Sequence, residues 1–153
     1  MGPGGLSALA DFLKGAGPDG AGRTVFEVVA MSDRDIEQSH DFIQWLFPLA
    51  EPSGANRRAP VLTTEDVAEV QASGLAQIAL AAATDRMAHF YQRNGHWLVD
   101  HDHNHLRITR IIKSLRLLRG PGEAEDFRRI ILARDSAAGR PVSAGSRQYW
   151  MQA

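Results

Sequence analysis

Apolar residues recur along most of this chain with the spacing of an α-helix, three or four positions apart. The repeat predicts a short first helix whose inner face consists of Leu6, Leu9, Phe12 and Leu13. It predicts a second apolar stripe, with alanines that allow a neighbouring helix to approach closely, at Leu75, Ile78, Ala79, Ala82, Ala83, Met87 and Phe90. A third inner face consists of Ile108, Ile111, Ile112, Leu115 and Leu118. We therefore predict an all-α fold, an irregular bundle of about five to seven helices in a single domain.

Capping and helix-breaking residues predict where helices begin and end in the first half of the chain. Ser32 and Asp33 offer caps for a helix that should run to about Phe47. That helix should end there because Pro48 disfavours helical geometry at the residue before it. The segment 25–30 is compatible with a short strand or with a further helical turn.

The same signals are clearer in the second half. Thr63 and Asp102 are each placed to cap a helix, and Pro121 occupies the first-turn position in which proline is favoured. A short turn is expected at the end of the sequence, where Tyr149 and Trp150 should form a stabilising aromatic plug.

Composition narrows the class of protein. The chain has 153 residues, 44% of them hydrophobic and 23% charged, which suits one globular domain over 1–153 with a core at about 6–138. A formal net charge of −1 provides no global field for binding nucleic acid or an anionic membrane. Cysteine is absent, which excludes disulfides and thiolate chemistry. Because the sequence has no membrane-spanning apolar run and no signal-peptide pattern, we expect a cytoplasmic protein. The frequent use of Ala, Arg and Gly favours a bacterial source.

Two segments resemble the signature blocks of a known family. Residues 36–49 read IEQSHDFIQWLFPL, and residues 103–115 read HNHLRITRIIKSL. They are similar to the blocks HxxIQWLFP and HxxLRITRIxxSL of the opioid growth factor receptor conserved domain, and the resemblance extends from about Leu6 to about Leu132. It implies an all-helical domain. In animals, proteins with this domain are described as receptors for an enkephalin-type peptide.

The first block places polar side chains on a helix that is apolar nearly all round. On a continuous helix His40 and Gln44 lie one turn apart, and Asp41 and the indole N–H of Trp45 also need partners near the core. One interpretation is a buried structural network in which His40 bridges helices. The other is a ligand pocket lined by these residues.

The second block begins with a histidine cluster. His101, His103 and His105 surround the start of a predicted helix, and His96 adds a fourth imidazole. Two of them with Asp102 could bind zinc or iron, although histidine and aspartate at a helix start also serve as local caps. The sequence identifies no cofactor, and the metal site stays an alternative.

Basic residues recur every three positions further along the second block, at Arg107, Arg110 and Lys113. One interpretation is that they form a solvated helix face. The other is an anion pocket in which Arg107 and Arg110 meet His40 and His103, because the planar guanidinium of arginine suits carboxylates and phosphates.

Three function classes follow: a domain that binds a small anionic or peptidic ligand between the signature helices, a metal-dependent or histidine-based acid/base enzyme, and a helical interaction module. The sequence contains no nucleophile elbow, phosphate loop or zinc-protease helix. Whether the chain is an enzyme therefore stays open, and the binding domain is favoured. We expect neither a nucleic-acid partner nor a transmembrane segment, and the oligomeric state is open. The predicted ligand-binding residues are His40, Asp41, Gln44, Trp45, His103, Arg107 and Arg110.

Overall fold

The computed structural model describes residues 7–54 and 56–153, and the regular elements in those ranges are α-helices. The all-α prediction is confirmed. Nine helices occur in the described part of the chain because 25–29 is helical and the predicted helix at 32–47 is divided in two. They are α1 (Ala8–Leu13), α2 (Val25–Val29), α3 (Asp33–Gln38), α4 (Ile43–Leu46), α5 (Thr64–Ala72), α6 (Gly74–Arg93), α7 (His103–Leu118), α8 (Pro121–Ala137) and α9 (Ala144–Gln152).

The chain divides into two compact units, and the boundary between them along the sequence falls within α6. The first comprises the described residues up to Ala83, and the second runs from Thr84 to Ala153. Helices α1–α5 therefore belong to the first unit and α7–α9 to the second. None of the helices built from the described residues is both long and apolar enough to cross a membrane.

In the first unit, α1 packs against α4 and α5. Ser7 caps α1 by accepting a hydrogen bond from the Ala10 N–H at 3.0 Å, and its hydroxyl donates to Asp66 Oδ1 of α5 at 2.6 Å. The ring of Phe12 meets Trp45 of α4 edge-on, with 5.6 Å between ring centroids. Polar links at one end and aromatic packing at the other hold α1 in place.

The continuous helix predicted for 32–47 is wrong. Helix α3 ends at Gln38, Ser39 is extended with φ −87° and ψ 131°, and α4 begins only at Ile43. A helix that is apolar nearly all round would have to be buried on every side. The break instead lets Ile36 and Phe42 both reach the core, while Gln38, His40 and Asp41 between them are exposed.

Helix α6 confirms the predicted inner face in its later turns and differs from it in the first turns. The predicted positions that are buried are Ala79, Ala83, Met87 and Phe90. Leu75 and Ile78, expected inside, are 66% and 64% exposed, whereas Ala76 and Leu80 are fully buried. Both of these pairs have helical spacing, so spacing alone did not distinguish them in the first turns. The buried stripe continues into larger side chains, ending in Tyr91, and so carries the packing along the helix.

In the second unit, α7 packs against α8 and α9. The predicted cap is confirmed, since Asp102 Oδ1 accepts the Asn104 N–H at 2.9 Å. The predicted inner face of α7 is buried at every position, Ile108, Ile111, Ile112, Leu115 and Leu118.

The start of α8 is also as predicted, whereas the last helix begins earlier than predicted. Pro121 opens α8, after Gly120 with φ 108°. Helix α9 is longer than the predicted last turn, because Ser143 caps it by accepting the Ser146 N–H at 3.1 Å. Trp150 is fully buried as expected for a plug, but Tyr149 is 65% exposed and is not part of it.

Candidate functional site

Arg23 organises the polar side of the first block. Its Nε donates to Asp19 Oδ2 at 2.8 Å and its NH2 donates to Asp41 Oδ1 at 2.9 Å. Burial alone would lower the pKa of Arg23, but the hydrogen bonds and charges of Asp41 and Asp19 outweigh it and hold the pKa above its ordinary value. In the cluster of Asp19, Arg23 and Asp41, the Arg23 guanidinium therefore stays charged where it bridges the two carboxylates.

Gln44 and Trp45 lie on the inner side of the same block. Gln44 is 6% exposed, and its Oε1 has no hydrogen-bond partner among the described residues. Trp45 is half-buried, and Gly20 lies against its indole, since a Cβ built on Gly20 would be 3.5 Å from Trp45 Nε1.

The buried network predicted for the first block is wrong in part. His40 and Asp41 are exposed because they fall in the break between α3 and α4, and His40 is no longer one helical turn from Gln44. Only Gln44 and Trp45 occupy the inner positions expected of them.

Asn104 is the centre of a polar cluster at the start of α7. It is fully buried, its Oδ1 accepts the Tyr91 hydroxyl at 3.1 Å, and its Nδ2 donates to Asp102 Oδ1 at 2.9 Å. The Nε2 atoms of His96 and His103 each lie 3.4 Å from the same Nδ2. The amide has two hydrogens and faces three acceptors, so His103 takes part in the polar structure of the helix start.

His105 is held at both ring nitrogens. Its Nε2 lies 2.8 Å from the Trp97 carbonyl oxygen and its Nδ1 lies 3.0 Å from Ser146 Oγ. The side chain is 4% exposed, and Trp150 stands edge-on to the imidazole with 5.5 Å between ring centroids.

The three histidines of the metal alternative are not assembled as one ligand set. His105 uses both nitrogens as described, and exposed His101 pairs with Asp100 at 3.2 Å. Across residues 7–54 and 56–153, no group of three or more His, Asp or Glu side chains is placed to hold a metal ion.

The basic residues of the second block differ in exposure. Arg107 is 7% exposed, Arg110 is half-buried and Lys113 is exposed. The solvated-face interpretation is therefore wrong for Arg107.

The predicted ligand-binding residues are divided between the two units. The first unit contains His40, Asp41, Gln44 and Trp45, and the second contains the remaining predicted contacts. A site that draws on both blocks therefore stays a prediction.

A groove of about 590 Å³ opens in the second unit, a volume within the range of small-molecule sites. It is lined by His101, Asp102, His103, His105, Leu106, Ser143, Gly145, Ser146 and Tyr149. Leu106 and Tyr149 are 74% and 65% exposed and supply apolar walls. Sequence reasoning missed Ser143 and Ser146, whose spacing indicates only a helix cap.

Known proteins resemble part of this chain. The family profile described as the opioid growth factor receptor (OGFr) conserved region matches residues 18–95. The opioid growth factor receptor of Rattus norvegicus is 39% identical over 98 residues, covering 52% of this chain and 17% of the relative. The human receptor is 38% identical over 98 residues, covering 52% of this chain and 14% of the relative.

A related protein extends the comparison. Opioid growth factor receptor-like protein 1 of Mus musculus is 37% identical over 97 residues, covering 52% of this chain and 21% of the relative. The matched part thus spans no more than about a fifth of these curated relatives. No solved structure matches the chain.

The matched residues 18–95 contain the first block and end before the second, so the resemblance of the second block stays a prediction. They make up half of the chain and carry the Arg23 cluster, Gln44 and Trp45. This chain therefore belongs to the family of the opioid growth factor receptor conserved region.

Proposed function

We propose that this chain is a ligand-binding domain whose ligand is a peptide, held in the first unit by Asp41, Gln44 and Trp45. The observation that carries the proposal is the buried Gln44 Oε1, which has no hydrogen-bond partner among the described residues. A buried acceptor without a donor costs about 1–3 kcal/mol, so the free protein retains a group that a ligand N–H would satisfy.

The relatives support binding in this part of the chain. They are named as receptors for an opioid growth factor. The conserved region of that family matches residues 18–95, which include all three proposed contact residues. Trp45 offers an apolar ring face together with an indole N–H, a combination common where ligands bind.

The charge of the Arg23 cluster favours a cationic group on the ligand. Asp19 and Asp41 outnumber the single guanidinium, and the Asp41 side chain is 56% exposed. A peptide amino terminus would pair with Asp41. An anionic ligand was predicted from Arg107 and Arg110 of the second block, and their contribution, like that of His40 and His103, stays a prediction.

Direct titration tests the proposal. A fluorophore-labelled enkephalin-type peptide is titrated with the protein and fluorescence anisotropy is recorded, beside the same peptide acetylated at its amino terminus. Acetylation and Asp41→Asn should each weaken binding about tenfold, as expected for loss of a charge-assisted hydrogen bond. Equal affinity for both peptides would contradict the assignment of Asp41.

A pair of glutamine variants separates binding from stability. Gln44→Leu removes the unsatisfied acceptor and should weaken peptide binding while leaving the free energy of unfolding unchanged or raised. Gln77→Leu is the matched control, since half-buried Gln77 of α6 donates to the Val70 carbonyl at 3.1 Å. It should cost about 1 kcal/mol of stability with affinity unchanged. The proposal fails if Gln44→Leu binds as tightly as the unaltered chain.

The extent of the domain, at about 6–138, its cytoplasmic location and its bacterial source also stay proposals. They rest on composition and on the resemblance of the sequence.

A further inference from the structure

Ser146 and His105 lie side by side in the groove of the second unit, in the arrangement of a serine nucleophile and its general base. Ser146 Oγ lies 3.0 Å from His105 Nδ1, within the distance for proton transfer through a hydrogen bond. Both residues line the groove, so a molecule there reaches the hydroxyl that the imidazole contacts.

The partners of His105 fix which nitrogen acts as the base. The Trp97 carbonyl oxygen, 2.8 Å from Nε2, can only accept a hydrogen bond, so Nε2 carries the hydrogen of the neutral ring. Nδ1 is then the basic nitrogen and accepts the Ser146 hydroxyl. The Trp97 carbonyl thereby orients the base, the role that a third group plays in serine and cysteine nucleophile systems.

Ser143 extends the chain of hydrogen bonds in the same direction. Its hydroxyl donates to Ser146 Oγ at 3.1 Å, and its oxygen accepts the Ser146 N–H at 3.1 Å. Ser146 Oγ therefore accepts from Ser143 and donates to His105. The Ser146 hydroxyl hydrogen therefore points toward the imidazole of His105.

The base is held rigidly. The Trp150 indole N–H donates to the His105 carbonyl at 3.0 Å, and the Trp97 indole N–H donates to the Asn94 carbonyl at 2.8 Å. Trp97 and Trp150 meet edge-on with 6.3 Å between centroids, so the backbone on both sides of the imidazole is anchored in the core. Fixed geometry of this kind favours proton transfer in the transition state.

We propose that Ser146 and His105 form a dyad that hydrolyses esters of small acyl groups, an activity independent of the peptide binding proposed for the first unit. Ser146 Oγ attacks the ester carbonyl carbon while its proton moves to His105 Nδ1. The C–O bond to the alcohol then breaks, and the imidazolium returns the proton to the leaving oxygen. Water then gives a proton to the same nitrogen and attacks the acyl carbonyl carbon. The C–Oγ bond breaks, the imidazolium returns the proton to Ser146 Oγ, and the carboxylic acid leaves.

The surroundings of the dyad suit that substrate class. The N–H of Gly145, in the first turn of α9, has no acceptor within its own helix and is available to the oxyanion. Leu106 and Tyr149 provide an apolar wall for an acyl chain, and the groove volume of about 590 Å³ limits its size.

Covalent labelling and ester hydrolysis test the dyad together. The full chain is treated with a fluorophosphonate probe, the modified residue is mapped by mass spectrometry, and release of p-nitrophenol from its acetate and butyrate esters is followed. We expect the phosphonate on Ser146. Ser146→Ala, which removes a single oxygen atom, should abolish labelling and lower the hydrolysis rate about a hundredfold.

Two further variants complete the test. His105→Gln can still donate to the Trp97 carbonyl but cannot take a proton, so it should lower both rates about a hundredfold. Ser136→Ala, at an exposed serine of α8, is the matched control and should leave both rates unchanged. Circular dichroism establishes that each variant is folded. The proposal is overturned if folded Ser146→Ala retains the rate of the unaltered chain, as surface imidazoles alone would give, or if the probe modifies another residue instead.

Discussion

Replacing Trp150 gives the sharpest test of how the second unit is held together. The side chain is fully buried, packs edge-on against His105 and Trp97, and donates its indole N–H to the His105 carbonyl at 3.0 Å. Trp150→Ala removes this packing and leaves a cavity, so it should lower the free energy of unfolding by about 3–5 kcal/mol. Since whole domains are stable by only about 5–15 kcal/mol, that loss is a large part of the total.

Trp150→Phe separates the hydrogen bond from the packing. Phenylalanine keeps most of the ring but leaves the buried His105 carbonyl without its donor, at a cost of about 1–3 kcal/mol. Tyr149→Ala is the control, because Tyr149 is the aromatic residue next to Trp150 in the sequence and is 65% exposed. This substitution should lower the free energy of unfolding by no more than about 0.5 kcal/mol. Urea unfolding followed by far-ultraviolet circular dichroism measures all three. The reasoning is refuted if Trp150→Ala and Tyr149→Ala have similar midpoints and slopes.

Two further outcomes follow from burial and charge. Leu75→Gln with Ile78→Gln on the exposed side of α6 should change the free energy of unfolding by less than about 0.5 kcal/mol, whereas Leu80→Ala should cost about 2–5 kcal/mol. Thermal unfolding would show the opposite order if Leu75 and Ile78 were the buried residues. Arg23→Gln should cost about 1 kcal/mol. Because the pKa of Arg23 is raised, its contribution is complete below the ordinary arginine pKa and is lost only as pH rises through the folded value. Urea titrations of this variant at mildly acidic and mildly alkaline pH should therefore give the same penalty, and a penalty that falls with mild alkalinity would contradict the charge assignment.

The parts of the fold that depend on a few neighbouring residues could be predicted from the sequence. The caps formed by Thr63 and Asp102 and the start of α8 at Pro121 involve contacts within three positions, so local chemistry decides them. The inner face of α7 was also predictable because its basic and apolar positions alternate at helical period.

Features decided by distant packing could not be predicted. The first turns of α6 carry apolar residues on two sides, and the burial of Leu80 rather than Leu75 and Ile78 depends on what packs against the helix. The break at Ser39 arises because residues on both sides of it are drawn into the core. The candidate dyad joins His105 to Ser146, 41 positions apart, and no spacing rule connects them. The family block at 36–49 was recognisable because its order of residues is unusual in itself.

The distribution of tryptophan makes each unit optically distinct. The chain has 3 tryptophans, and only Trp45 lies in the first unit, half-buried beside Gly20. Trp97 and Trp150 lie in the second unit with no exposed surface, so their emission should be bluer and poorly quenched by acrylamide. A Trp45→Phe variant would therefore emit from the second unit alone. Comparing its denaturation curve with that of the unaltered chain would show whether the two units unfold in one cooperative step or in sequence.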